Sequence, residues 1–550
     1  MAKSLYLINP RAKIPGYFGS EVFEHWGLPP ATGIADLTTT TVAAFAPPDW
    51  RVTICDEHLS PVDFDSKADF IGLTGKVTQI PRLIELAGEF RRRGKRVIAG
   101  GPYASLAPSA LRAHVDVLVV GELESIAPTL FADLERAQWQ AEYHGEKADL
   151  ADSPRPRWDL YPNDRALIGC VQTSRGCPFD CEFCDVIAYL GRKQRHKPIA
   201  QVLAELDALY ALGYRNVFLA DDNFTVYRRR AHEILAALAT WNRERPDGPV
   251  FFSTQVSIDA ARDPALIEAC AQAGIDWVFI GLETPNQESL KECRKPQNVG
   301  VDLLERVDVF LRHGICVTGG MIVGFDHDGP DIFRRQYDFA MRSAIPVFSL
   351  GALVAPVATA LYRRLHDANR LLEGSPEVAA CPWDTNIVAA RLERGELLDG
   401  LRQLSNSLYR PAEFAERTIR MIERLAPHPL HDAAVGRTPR AVETDAVLVT
   451  KRMTRLGGEE SQMLRAVLRA LNRRPHTARA AMTALYRYAQ IRCMYETGRY
   501  WDPHLAAPEA PEVLAAEAIP VREAMPRRPE YQPIVDARVR GGARRGAGGA

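Results

Sequence analysis

Cys177-Pro-Phe-Asp-Cys181-Glu-Phe-Cys184 sets three thiols in the spacing C-x3-C-x2-C. Four cysteines close a 4Fe–4S cluster, and three leave one iron open to a small chelating molecule. The run follows an apolar stretch, Ala166-Leu-Ile-Gly-Cys-Val-Gln-Thr173, that reads as a strand, with Ser174-Arg175-Gly176 between them. The cysteines therefore belong to a loop that leaves a strand. A structural zinc site is the bland alternative. It wants four ligands, and His196 is the candidate fourth, since no second C-x2-C exists. A disulfide pair is a weaker reading still. Cys55, Cys270, Cys293, Cys316, Cys381 and Cys493 are scattered, and no secretory signal precedes them. Cys170, on the strand before the loop, reads as a small buried apolar residue.

Working outward, residues 166–365 repeat strand then helix. Strands are expected at 166–173, 216–219, 251–256, 277–280, 316–323 and 348–354, with helices near 199–212, 229–243, 264–273, 301–313 and 331–343. Six such units make a partial (β/α)6 barrel, whose active site lies at the carboxyl ends of its strands. Polar residues stand there. Asp221-Asp222-Asn223-Phe224 follows the second strand, Thr254-Gln255 lies in the third, and Gly281-Leu282-Glu283-Thr284 ends the fourth. An acid at a strand end is, taken singly, more often a loop cap or an ion-pair partner than a ligand contact. The basic run Arg192, Lys193, Arg195, His196 and Lys197 reads as a solvated loop, or as a source of one cation for a bound anion.

The first 140 residues alternate strands and helices in the manner of a doubly wound, Rossmann-like parallel sheet. Strands are expected at 5–8, 51–55, 70–73, 96–99 and 115–120, and a helix at 80–93 with Leu83, Ile84, Ala87 and Phe90 on one face. Ligands of such sheets bind beyond the carboxyl ends of the strands. Small residues stand at three of those ends, Thr74-Gly75, Gly100-Gly101 and Gly121, where backbone can approach a flat ligand. A dinucleotide is disfavoured, because no G-x-G-x-x-G follows the first strand. Residues 141–165 read as a linker. Beyond 365 the chain turns helical, with helices expected at 394–409, 411–425, 458–472 and 477–498 in a domain of residues 366–505. Residues 506–550, rich in Ala, Pro, Glu and Arg, read as a disordered tail.

At 550 residues the chain is long enough for about three domains. Its 68 basic and 69 acidic side chains nearly cancel, so no global field points to nucleic acid or to an anionic membrane. No apolar run approaches the roughly 20 residues that span a bilayer. The start, Met1-Ala-Lys-Ser-Leu-Tyr-Leu-Ile-Asn9, enters a strand without a signal peptide's cleavage region. The cytoplasm is the expected location.

The cysteine run, with Phe183 before its last cysteine, resembles the signature of the radical S-adenosylmethionine (SAM) enzymes. There SAM's amino and carboxylate groups take the open iron, and Phe183 would lie near the adenine. Gly100-Gly101-Pro102 and Val119-Val120-Gly121-Glu122 resemble the cobalamin-binding domain that precedes the barrel in one large subclass. The resemblance makes Thr74, Gly75, Gly100, Gly101, Gly121 and Glu122 expected cobalamin contacts. The D-D-N-F and G-x-E-[ST] elements likewise make Asp222 and Glu283 expected SAM contacts. Arg195 would hold SAM's carboxylate or the cobalamin if any cation of the basic run does. Asp56-Glu57-His58 departs from the family motif D-x-H-x-x-G in following the second strand and in carrying Pro61 as the third residue after histidine. Cobalamin without a protein histidine is therefore expected. Pro356-Val357-Ala358-Thr359 stands where the family often has P-G-T. Trp383-Asp384-Thr385-Asn386-Ile387-Val388 resembles a segment following the barrel in a subgroup that includes hopanoid methylases, whose extra helical domain would close the barrel.

Together these resemblances imply a C-methyltransferase with a 4Fe–4S cluster, SAM and cobalamin as cofactors. It would methylate an unactivated carbon of a hopanoid-like lipid or secondary metabolite, drawing electrons from a donor such as a flavodoxin or ferredoxin. The same cofactors serve a second reading, ring closure, contraction or carbon–carbon coupling without methyl transfer. A third is a non-catalytic iron–sulfur or cobalamin-sensing module.

Overall fold

The computed structural model describes residues 2–372, 381–432 and 438–509. In chain order its strands are β1 (Ser4–Asn9), β2 (Thr32–Ile34), β3 (Arg51–Asp56), β4 (Phe70–Thr74), β5 (Arg96–Gly100), β6 (Val117–Gly121), β7 (Glu142–Gly145), β8 (Ala166–Val171), β9 (Ser174–Arg175), β10 (Arg195–His196), β11 (Asn216–Leu219), β12 (Phe251–Gln255), β13 (Ile275–Glu283), β14 (Cys316–Val323) and β15 (Val347–Ala352).

Six of them form a parallel sheet in the order β3-β1-β4-β5-β6-β7. Connections leave β1 toward both sides, which makes this a doubly wound sheet with its switch point between β1 and β4. Burial of Ser4 through Ile8 without a break matches a strand covered on both faces. The helix Ile80–Arg92 buries Leu83, Leu86, Ala87 and Phe90, so Leu86 takes the place expected of Ile84, which is half-buried. The strand expected from residue 115 begins at Val117. β7 falls in the stretch read as a linker and pairs with β6, extending the sheet past residue 140.

The second sheet runs β15-β14-β13-β12-β11-β8-β2, parallel throughout. Its six expected β/α strands are joined by β2, which comes from the N-terminal stretch and pairs Thr32 with Ala166 and Ile34 with Ile168. The barrel is thus bordered by residues that precede most of the first sheet.

Beyond the barrel lie helices Arg394–Leu408, Pro411–Arg424, Gly458–Arg473 and Ala478–Thr497, as expected, and an unexpected one, Ala441–Arg452. Helix Ala478–Thr497 stands at the open side of the barrel. From Ala484 to Tyr495 it is buried on nearly every face, the mark of a helix inside a protein rather than on it. At its foot Arg479 bonds Asp276 and Asn216, at the amino ends of β13 and β11. Midway, Gln490 Nε2 donates to the Gly16 carbonyl (3.0 Å) and Gln490 Oε1 accepts from Val22 N–H (3.1 Å). Near its end the Tyr495 and Tyr17 hydroxyls pair at 2.9 Å, and Tyr17 donates onward to the Leu350 carbonyl of β15 (3.1 Å). This helix and residues 16–22 therefore bridge the edges of the half-barrel. Among the described residues no helix is long and apolar enough to cross a membrane. Most of the tail at 506–550 lies outside the described residues.

Candidate functional site

The three cysteines sit on the loop between β9 and β10, which pair antiparallel at its base, Arg175 with Arg195 and Ser174 with His196. All three thiols are free and half-buried. Burial pushes each above the ordinary thiol value, Cys184 to about 12, so an adjacent metal would have to draw off their protons. Gly176 enters the loop at φ +96°, where a Cβ would strike the Lys193 and Gly191 carbonyl oxygens. Only glycine makes that turn without strain.

Barrel strand ends hold the loop from below. Asp221 accepts from the Thr173 N–H (2.9 Å), the Ser174 N–H (2.5 Å) and both their hydroxyls, tying the end of β8 to that of β11. Asp222 accepts from Gly176 N–H at 2.7 Å through Oδ2. Burial pushes Asp222 up to about 6, and its Oδ1 has no partner among the described residues. Glu283 ends β13 at φ +62°, beside an irregularity in the β13–β14 register. Its Oε1 is bonded by Lys295 Nζ, while Oε2 is left without a partner among the described residues. Burial would lower the Lys295 ammonium, but Glu283 outweighs it and holds it above its ordinary value. Gln297 Nε2 donates to Cys181 Sγ at 3.9 Å. Lys295 and Gln297 escaped the sequence reading. Their only signal is proximity to Glu283 in the chain.

Two further anchors come from outside the barrel. Glu122, expected at a cofactor, turns its carboxylate to the base of the loop. Oε1 accepts from Arg195 (2.5 Å), and Oε2 from Arg195 (2.7 Å) and Arg175 (2.9 Å). Arg195 also donates to the Ala148 carbonyl, so it is not a free cation for a bound anion. Burial by itself would raise the Glu122 carboxyl, but Arg195 and Arg175 outweigh it and hold it below the usual carboxylate range. On the other side is Glu182, between the second and third cysteines. Its carboxylate takes Arg364 Nε (2.6 Å) and Nη2 (3.0 Å), its N–H donates to the Cys293 carbonyl, and its carbonyl accepts from Leu361. Arg364 Nη1 reaches Asp326 at 2.6 Å. Arg364 lies on helix Ala360–Asp367, just after the Pro356–Thr359 turn.

At the first sheet's carboxyl edge, Gly101 (φ +96°) and Gly121 (φ +87°) have backbones that favour glycine. A Cβ on Gly121 would meet the Gly145 carbonyl, and one on Gly101 the Thr74 hydroxyl. Ser105 joins the two, accepting from Gly121 N–H (2.9 Å) and donating to the Gly101 carbonyl (3.0 Å). Thr74-Gly75 and Gly100 complete the edge. The short helix Pro102–Leu106, which follows Gly101, packs against Val186–Tyr189, which follows Cys184. The glycine-lined edge and the cysteine loop therefore face each other. Phe183 packs on Phe325 with ring centres 6.2 Å apart. His58 gives its Nδ1 to Asp56 at 2.8 Å, and Asp56 also accepts from the Tyr161 hydroxyl at 2.6 Å. His196, the candidate fourth zinc ligand, packs edge-on against Tyr227. Among the described residues no three His, Cys, Asp or Glu side chains converge on a single-ion site. Three thiols on one short loop suit a cluster, whose sulfur ligands go to different irons.

Residues 171–340 match the model of the radical SAM superfamily, and residues 359–497 match a domain of unknown function, DUF4070. An uncharacterized methyltransferase of Synechocystis sp. is 38% identical over 341 residues, covering 61% of this chain and 63% of that protein. The hopanoid C-2 methylase of Rhodopseudomonas palustris is 31% identical over 339 residues, covering 60% and 64%. The matched stretch thus spans somewhat under two thirds of either relative. Among solved structures, the cobalamin-dependent SAM radical enzyme OxsB, with aqua-cobalamin and SAM bound, superposes at a TM-score of 0.57 and 16% identity over 90% of this chain and 80% of its own. At that identity the likeness is one of fold.

Proposed function

We propose that this chain, whose residues 171–340 match the radical SAM superfamily model, is a cobalamin-dependent C-methyltransferase. The observation that carries the reading is the facing pair of sites, a three-cysteine loop opposite the glycine-lined carboxyl edge of a doubly wound sheet. When bound, a 4Fe–4S cluster with SAM would supply the means of removing hydrogen from an unactivated carbon, and cobalamin the methyl group.

Cys177, Cys181 and Cys184 would hold three irons and leave the fourth to SAM. Asp222 Oδ1 and Glu283 Oε2, each without a partner, are placed to accept from SAM's amino or hydroxyl groups. Gln297 and the Lys295 ammonium stabilise negative charge at the Cys181 sulfur. Thr74, Gly75, Gly100, Gly101 and Gly121 would receive cobalamin, while Glu122 fixes their edge against the loop. Phe183 would border the SAM site. Helix Ala478–Thr497 and residues 16–22 close the side of the barrel and keep water from the reacting carbon. Electrons would come from a small reduced carrier such as a flavodoxin or ferredoxin. A lipid or secondary-metabolite substrate is supported by the named activity of the hopanoid relative.

The test is anaerobic reconstitution of Cys181→Ala beside the parent. The variant is expected to lose the 4Fe–4S absorption and SAM cleavage while still retaining cobalamin. Full SAM cleavage by the variant would overturn the proposal.

A further inference from the structure

Helix Ala478–Thr497 carries three arginines whose partners can be compared. Arg479 bonds Asp276, and Arg492 pairs with Glu460 (2.9 Å) and Glu496 (2.7 Å). Arg487, between them, has neither a carboxylate nor a hydrogen-bond acceptor among the described residues, and its Nη1 is buried without a partner. Its guanidinium lies 5.3 Å from the ring centre of Phe18 and 5.6 Å from that of Tyr486. Burial holds it below the ordinary arginine value. Arg487 is half-buried with its Nη1 out of water, and burying that N–H group with no anion to meet it is unfavourable.

Its surroundings say what it faces. The Phe18 ring meets the Phe279 ring edge-on at 6.0 Å. On β13, Val278 and Ile280 are buried under the outer helices, whereas Trp277, Phe279 and Gly281 look the other way, into the barrel, and are half-open. Ser253 and Gln255 repeat that pattern on β12. Phe18 itself is 40% exposed. Arg487 therefore stands behind an aromatic pair at the wall of an accessible lumen. Phe279 is four positions before Glu283, about 13 Å at the rise of a strand. A molecule gripped at Arg487 would need an apolar body of that length to reach the cysteine loop. The side chains named on this wall are neutral, so a single cation is matched by a single negative charge.

We propose that the barrel lumen binds an elongated apolar substrate carrying one carboxylate, with the carboxylate on Arg487 and the body along Phe18 and Phe279. The word substrate rests on the methyltransferase reading, while the binding claim does not. Guanidinium and carboxylate form paired charge-assisted hydrogen bonds, strongest where water is excluded.

The test uses two fluorescent probes alike except in charge, 1-pyrenebutyrate and 1-pyrenebutanol, titrated into the anaerobically reconstituted full chain without turnover. The parent is expected to bind the acid about ten-fold or more tighter than the alcohol. Arg487→Met should erase that preference with the alcohol's affinity unchanged, and Arg487→Lys should restore part of it. Equal affinity of the parent for acid and alcohol, including no detectable binding of either, would overturn the proposal. So would a preference that survives Arg487→Met. Because Arg487→Met removes a half-buried charge that has no anion partner among the described residues, it is expected to melt no lower than the parent, and a lower melting temperature would assign the side chain to packing and count against the claim. Failure of SAM cleavage would sink the methyltransferase reading and leave the acid preference standing. The reverse pattern would sink this site alone.

Discussion

The cysteine loop is tethered on two sides, and the tethers differ in kind. At its base, Glu122 after the first sheet's β6 holds two arginines, Glu124 also takes Arg175 (2.8 Å), and Glu122, Arg195 and Arg175 are little exposed, at 7%, 13% and 14%. At its middle, Glu182 is held by one arginine from the region after the barrel, and Arg364 is 36% exposed. The first is a closed interdomain lock. The second is a half-wet strut whose arginine is shared with Asp326. Loop geometry is thus set by both flanking regions together with the barrel, and neither flank is an independent module.

Breaking the lock should have the largest effect. Glu122→Ala leaves the Arg195 guanidinium without a carboxylate while Arg175 keeps Glu124 at 2.8 Å, an expected loss of about 3 kcal/mol. Chemical denaturation measures it, and the cluster's EPR signal should broaden as the loop loosens. A loss under about 1 kcal/mol would show the lock to be incidental. Arg364→Met should cost less, about 1–2 kcal/mol, because solvent can reach Glu182 once its partner is gone and Asp326 keeps Arg370. Equal losses from the two variants would erase the contrast.

Gln297→Leu sharpens it from a third side. Gln297 is buried, and exchanging it for an apolar side chain of similar size should change stability by no more than about 1 kcal/mol. Loss of a donor to Cys181 should make the cluster harder to reduce, read as a lower midpoint in an EPR redox titration. A rise would contradict the role given to Gln297. The smallest effect belongs to the Asp56–His58 pair, a tether within the first sheet's own edge. Burial opposes charge on both, but their mutual attraction wins, raising His58 and lowering Asp56. A raised imidazole stabilises the fold fully below its unfolded value near 6.5, and that contribution is lost as pH rises through the higher folded value. Melting temperature should therefore fall more between pH 6 and 9 in the parent than in His58→Gln.

The sequence made some of this readable and hid the rest for physical reasons. The cysteine loop was legible because its chemistry is local to eight residues and follows an unbroken apolar strand. Six barrel strands and most of the first sheet were legible because each is a continuous apolar run ended by small or polar residues. β2 and β7 were not. Thr32-Gly33-Ile34 is too short for a period, and Glu142-Tyr143-His144-Gly145 has one apolar side chain, as an edge strand can. Helix Ala441–Arg452 was hidden because Val447 and Leu448 are exposed and blur the apolar stripe. Glu122 and Arg195 each read as ligand groups, since a strand-end acid and a loop cation usually face solvent or ligand. Their pairing across 73 positions is a tertiary fact that no local pattern carries. Arg364 and Glu182 were invisible for the same reason.

The central claim is that the two facing sites work together to transfer a methyl group. Its most direct test quantifies 5′-deoxyadenosine and S-adenosylhomocysteine by mass spectrometry. The reaction would contain anaerobically reconstituted protein, cobalamin, reductant, SAM and host extract as substrate source. The account predicts both products in similar amounts, with a new species in the extract heavier by one methylene. Deoxyadenosine without S-adenosylhomocysteine would contradict methyl transfer, and the absence of both would contradict catalysis by the paired sites.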